Sequence, residues 1–165
     1  CASRYPNKIQ TLSLMGGAGV IPMNPELLGL AENSDPKAVD LMMDFAHGPS
    51  GHFGGHPVPG LYHLNTGSML VQSKEIKDTL GVDFRACENY SNGFEAAKKL
   101  DLPTLSILAD KDRMCRLKDG QKLADHIKGS EVHVIKNCGH MMLLEEADQT
   151  LAILKKFILD KYPIR

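Results

Sequence analysis

An α/β fold built on a parallel sheet follows from three features of the sequence. Apolar runs of strand length alternate with segments of helical period, the connections in the last third are short, and the first and last of these runs close on turns rich in glycine or polar residues. Strand, helix, strand, helix at that spacing reads as βαβ units, whose strands lie parallel.

The run Ile9 to Met15 is β-favouring and ends at Gly16-Gly17-Ala18-Gly19, as suits a buried strand of a parallel sheet. Pro22 and Pro25 then break any immediate helix. Helical patterns cover Pro25 to Asn33 and Asp35 to Ala46, with Asn24 placed to cap the first and Ser34 or Asp35 to cap the second. Leu41, Met42 and Phe45 share one face of the second helix. Gly48 to Gly60 is saturated with Gly and Pro and reads as loop, and two or three weaker helices follow as far as Lys99. Past Leu102-Pro103, Thr104 to Ala109 is a short apolar strand and Asp119 to Lys128 an amphipathic helix. Val132 to Ile135 is the next strand, and Glu145 to Leu159 the final helix, with Leu151, Leu154 and Ile158 in step.

The 165 residues suffice for one ordinary domain, or a core with an insertion. A hydrophobic share of 42% and a charged share of 24% are those of a globular protein. With a net charge of -1, neither a nucleic acid nor an anionic membrane is expected as a partner. Aromatic residues make up 5% and Trp is absent, so no stacking platform for single strands is expected either. No apolar run reaches the length of a membrane span, and the opening residues do not read as a signal peptide. Cys1, Cys87, Cys115 and Cys138 match neither a zinc site nor a disulfide framework, which predicts reduced thiols in a cytoplasmic protein.

Two turns concentrate the chemistry, each at the C-terminal end of a predicted strand, where open α/β sheets place their sites. They are Ala109-Asp110-Lys111-Asp112-Arg113 and Asn137-Cys138-Gly139-His140. Asp112 alone reads equally well as a surface charge, Asp110 is an alternative acid, and His140 alone reads as a cap ahead of the last helix. Together, in order and at the ends of successive strands, they read as an acid and a base.

The stretches L-P-T-L-S-I-L-A-D-K-D-R-M and V-H-V-I-K-N-C-G-H-M-M-L-L-E, joined by a helix, closely resemble the end of the α/β-hydrolases. The resemblance implies that the three predicted strands are the sixth to eighth of that fold, with a helical cap inserted after the sixth. It makes Asp112 the triad acid, with Ala109 where the family usually has glycine, and His140 the triad histidine, preceded by Gly139 and followed by Glu145. The chemistry suits these residue types. A serine hydroxyl is a poor nucleophile until an imidazole takes its proton, and the imidazole needs a carboxylate to fix its tautomer.

No nucleophile is predicted in the chain. The family's elbow is G-x-S-x-G on a strand-to-helix turn upstream of both partners. Ser50 lacks the closing glycine, Ser68 follows no strand, and Ser3 and Ser13 have no glycine frame. Ala2-Ser3-Arg4-Tyr5-Pro6-Asn7-Lys8-Ile9 instead resembles the end of the helix that starts at the nucleophile, which would put the nucleophile and oxyanion hole on an N-terminal half outside these residues. The expected division is core over residues 1–22, cap over 23–100 and core over 101–165.

Gly17-x-Gly19 fails as a dinucleotide fingerprint because the third position is Pro22, so no cofactor is expected. His47, His52 and His56 in the cap, with His63 and Asp44, are spaced too irregularly to predict a metal site. The first three are expected to line the substrate pocket. Met42, Met43, Met69, Met141 and Met142 read as adaptable packing, and Cys115 and Cys138 as buried thiols.

The resemblance, nearest to small cytosolic esterases and enol-lactonases, implies a hydrolase of small-molecule esters or lactones. This chain alone is expected to be inactive, and to pair with its missing half or with itself. The rivals are a non-catalytic module binding a ligand or partner on the same scaffold, and haloalkane or epoxide chemistry with an aspartate nucleophile. Ser, Cys or Asp at the centre of the elbow would decide among these chemistries.

Overall fold

The computed structural model describes residues 1–49 and 79–162. Ser50, His52, His56, His63, Ser68 and Met69 lie outside the described residues.

Three parallel strands form one sheet in the order β1 (Leu12–Met15), β2 (Thr104–Ala109), β3 (Glu131–Ile135). Met15 pairs with Ile107 and Ala109 with Ile135, so the C-terminal ends of all three strands open onto the same edge. The central strand is buried along its whole length, as expected of a parallel strand covered on both faces. The first strand starts later than the sequence predicts. A 3₁₀ turn covers Pro6–Lys8, residues 9–11 run irregularly after it, and pairing begins where the Leu12 amide donates to Pro103 O, 3.0 Å.

The strand period of two splits the sheet's side chains between two helical layers. Leu105, Ile107 and Ala109 join Ile135, Met142 and Phe157 beneath the last helix. On the other face Leu12 and Leu14 pack with Ala97, Leu100, Leu123 and Ile127. The connection from β2 to β3 runs through α5 (Leu117–Ala124), which is shorter than the predicted helix and starts two residues earlier. A hypothetical Cβ on Gly120 would lie 2.5 Å from Leu108 Cδ2, so glycine lets this helix sit close on the sheet.

Four described helices separate β1 from β2. Asn24 caps α1 (Pro25–Glu32) through its side-chain oxygen, which accepts from the Leu27 amide at 3.0 Å. In α2 (Lys37–Ala46) Pro36 takes the cap position, while Asp35 Oδ1 accepts from the Lys37 amide at 2.9 Å. With α3 (Thr79–Glu88) these helices share a separate core of Leu27, Leu28, Ala31, Ala38 and Phe84, against which Leu41, Met42 and Phe45 pack. The next helix, α4 (Gly93–Lys98), places Phe94 and Ala97 with the sheet-side cluster instead. Residues 93–100, expected with the insertion, therefore pack with the sheet.

The single predicted C-terminal helix is two, α6 (Met142–Glu145) and α7 (Ala147–Lys161), bent at Glu146 (φ -135°, ψ 53°). The buried Thr150 hydroxyl lies 3.0 Å from Met142 O and 2.8 Å from Glu146 O, capping carbonyls at the bend.

Among the described residues β1 pairs only with β2, and its apolar side chains stay half-buried. Leu143, Leu151 and Ile158 are exposed on α6 and α7. An open parallel edge and exposed apolar side chains each invite association. The chain on its own is expected to dimerise or aggregate, as read by sedimentation velocity across a concentration series. A monodisperse monomer that melts cooperatively would contradict this.

Candidate active site

Three turns at the C-terminal edge of the sheet converge on one hydrogen bond. Asp112 Oδ2 lies 2.9 Å from His140 Nδ1. The Asp112 side chain is fully buried, while that of His140 is 27% exposed.

The backbone explains why the two meet. The Asp110 amide donates to Ile135 O at 3.1 Å and the Lys111 amide to Cys138 O at 3.0 Å, so the acid turn is bonded to the histidine turn beyond the end of strand pairing. Asn137 adopts a left-handed conformation (φ 56°), which asparagine tolerates better than most residues, and so reverses the chain after β3.

A buried carboxylate needs partners for its charge. Asp112 Oδ1 accepts from the amides of Met114 (2.8 Å) and Cys115 (2.7 Å), leaving Oδ2 directed at the imidazole. Such bonds to an ionised acceptor are the strong kind, and they fix the carboxylate plane. With Nδ1 committed to Asp112, Nε2 is the ring nitrogen left for proton exchange with a third group. Asp110, the alternative acid, contributes its backbone to this arrangement, and it is Asp112 that bonds the imidazole.

Gly16 closes the floor. Its backbone is left-handed (φ 58°), and a Cβ there would lie 2.8 Å from both Cε1 and Nδ1 of His140. Glycine is required twice over, for the conformation and for the space.

The end of α2 reaches the same turns. Arg113 Nη1 meets Asp44 Oδ2 at 3.0 Å, and its guanidinium lies 4.8 Å from the Phe45 ring centre. Both partners of this ion pair are about half exposed, so it is worth at most about 1 kcal/mol. The contacts around Glu145 are more buried. Its Oε2 accepts from the amides of Gly48 (2.8 Å) and Gly139 (3.1 Å).

His47, expected to line a pocket, is 1% exposed, with Nδ1 3.0 Å from Met43 O at the end of α2. In this structure it presents no accessible face to a ligand. His52 and His56 lie outside the described residues. Among the described residues no group of three or more His, Cys, Asp or Glu side chains could hold a metal ion.

Sequence reasoning missed Gly16, the paired amides on Asp112, and the Gly48–Gly139 approach. Gly16 stood in plain view within its glycine run. The amides leave no signal in side-chain identity.

No family model matches the chain. A proline iminopeptidase of Lactobacillus crispatus (strain ST1) is 33% identical over 64 residues, which are 39% of this chain and 22% of that protein. Among solved structures, a thermophilic esterase superposes with a TM-score of 0.80 at 25% identity, over 98% of this chain and 60% of that one. An enol-lactonase from Burkholderia xenovorans LB400 gives 0.79 at 19% identity, over 95% of this chain and 59% of that one. This is the C-terminal part of an α/β-hydrolase fold. The chain thus spans about three-fifths of the length of these hydrolases of known structure. Among the described residues no helix is long and apolar enough to cross a membrane.

All four cysteines are free. Burial pushes the Cys115 and Cys138 thiols up to about 12, with the Asp112 carboxylate opposing ionisation of Cys115 and Glu145 that of Cys138. In the unfolded chain these thiols ionise near 9.0. The stability they contribute is therefore complete below pH 9 and is lost as the pH rises from there toward 12. Because the thiolate is the nucleophile, iodoacetamide at pH 8 should label exposed Cys1 quickly and leave Cys115 and Cys138 intact until the protein unfolds. Peptide mass mapping reads this, and equal labelling of Cys138 and Cys1 in the folded chain would contradict it.

Proposed function

We propose that the chain is the acid-and-base part of a hydrolase that cleaves small-molecule ester or lactone bonds through an acyl-enzyme. The observation that carries the reading is the 2.9 Å bond between buried Asp112 and half-buried His140. Structural likeness to an esterase and an enol-lactonase supports the reaction class.

In this reading His140 Nε2 takes the proton of a hydroxyl nucleophile as its oxygen attacks the substrate carbonyl. The imidazolium that forms carries its positive charge 2.9 Å from the Asp112 carboxylate, which stabilises it without taking the proton. When the tetrahedral intermediate collapses, His140 returns the proton to the departing alkoxide. Water then attacks the acyl-enzyme with the same histidine as base. Asp112 contributes orientation as much as charge, because its hydrogen bond holds the proton on Nδ1 and leaves Nε2 basic.

The nucleophile and the oxyanion-hole donors are assigned to a segment that pairs with the open edge of β1. The helices α1 to α3 are assigned to a cap that roofs the site and selects substrate. No cofactor takes part.

The test is turnover of p-nitrophenyl esters and simple lactones. The chain alone should hydrolyse neither above the buffer rate. Joined to its upstream coding segment it should turn over, and Asp112→Asn should then lower kcat by about 10⁴. Turnover indifferent to Asp112→Asn would overturn the catalytic role. No turnover in the joined protein would favour a binding module.

A further inference from the structure

Glu145 is a buried acid that proton transfer at His140 does not use. Only 6% of it is exposed, and among the described residues it makes no ion pair. One oxygen, Oε2, accepts from both Gly48 and Gly139. Oε1 is buried and has no hydrogen-bond partner among the described residues. Burying a carboxylate in this way carries a large desolvation cost, which the two amide bonds offset.

Those amides belong to segments 91 residues apart in sequence. Gly48 follows α2, and Gly139 immediately precedes His140. On the other side of His140, the Met141 amide donates to Ala46 O at 3.1 Å. Both neighbours of the histidine are thus held by residues 46–48, one directly and one through Glu145. The backbones touch as closely as the chain permits. A Cβ on Gly48 would lie 2.5 Å from Gly139 N, and one on Gly139 would lie 2.1 Å from Gly48 N.

We propose that Glu145 is a positioning residue, a tether that makes the place of His140 depend on the end of α2. The inference rests on the reading of His140 as the base, and its functional meaning is that displacing the end of α2 displaces the base. Side chains at 48 and 139 are excluded by sterics, and an acceptor at 145 is required by the amides it bridges.

The readout is hydrogen–deuterium exchange at histidine Cε1–H, followed by mass spectrometry across pH. His140 Cε1 packs against the Gly16 backbone, so its exchange reports where the ring sits. His126 and His133 serve as controls in the same molecule. In Glu145→Ala exchange at His140 should speed up several-fold while the controls stay unchanged. In Glu145→Gln a single carbonyl oxygen can still accept both amides, and the profile should be nearly that of the parent chain. A folded Glu145→Ala with an unchanged His140 profile would overturn the proposal.

If Glu145→Ala frees all three histidines, Gly48→Ala takes its place, since its Cβ displaces Gly139 without altering residue 145. A shift confined to His140 supports the tether, and none in the folded variant overturns it. If that variant also unfolds, amide exchange in the parent chain decides. Gly48 and Gly139 should open together, with protection within about tenfold of each other, and clearly separate rates would overturn the tether. None of these readouts needs turnover, so insensitivity to Asp112→Asn in the ester assay would remove the catalytic reading and leave the tether standing.

Discussion

The hydrogen bond between Asp112 and His140 forms only where two turns, 28 residues apart in sequence, are held to within a fraction of an ångström. Much of the described structure serves that constraint. The parallel register of β2 and β3 delivers both turns to the same edge, and amide bonds from 110 and 111 continue the pairing past the strands. The amides of Met114 and Cys115 turn the carboxylate toward the ring, and Gly16 gives the ring room. No single one of these bonds fixes the geometry. Their joint effect is to hold a buried carboxylate in one orientation against the imidazole.

Electrostatics and sterics divide the labour. Asp112 is buried beneath fixed amide dipoles, whereas His140 keeps about a quarter of its side chain exposed. A second buried carboxylate, Glu145, spends its bonding capacity on two backbone amides, so it acts on position rather than on protons. The two nearby thiols are held protonated by burial beside carboxylates, which removes them as competing nucleophiles at neutral pH.

What was legible in the sequence was whatever depends on hydrophobic period and side-chain identity. The central strand Thr104–Ala109 and the Asn24 cap follow from such signals, and the pairing of Asp112 with His140 from the resemblance of their two turns to a known family. The bend at Glu146 was hidden because nothing in the 3.6-residue period marks it, and it rests on a buried threonine hydroxyl bonding two carbonyls. The place of residues 93–100 was hidden for a related reason. An apolar face announces burial without naming its partner, and α4 packs on the sheet side. The 1% exposure of His47 was hidden as well, because tertiary packing rather than residue type decides it. Gly16 and Gly48 read as turn and loop, whereas in the structure, with Gly139, they mark places where backbones or a ring approach too closely for a Cβ.

The central claim is that Asp112 and His140 activate a hydroxyl lying outside these residues, and a fluorophosphonate probe tests it most directly. Such a probe modifies a serine only when a working base sits beside it. The chain joined to its upstream coding segment should be labelled at one serine beyond residues 1–165, and His140→Ala should abolish that labelling in a protein that still folds. Labelling indifferent to His140→Ala, or a label on Ser3 or Ser13 of this chain, would contradict the account.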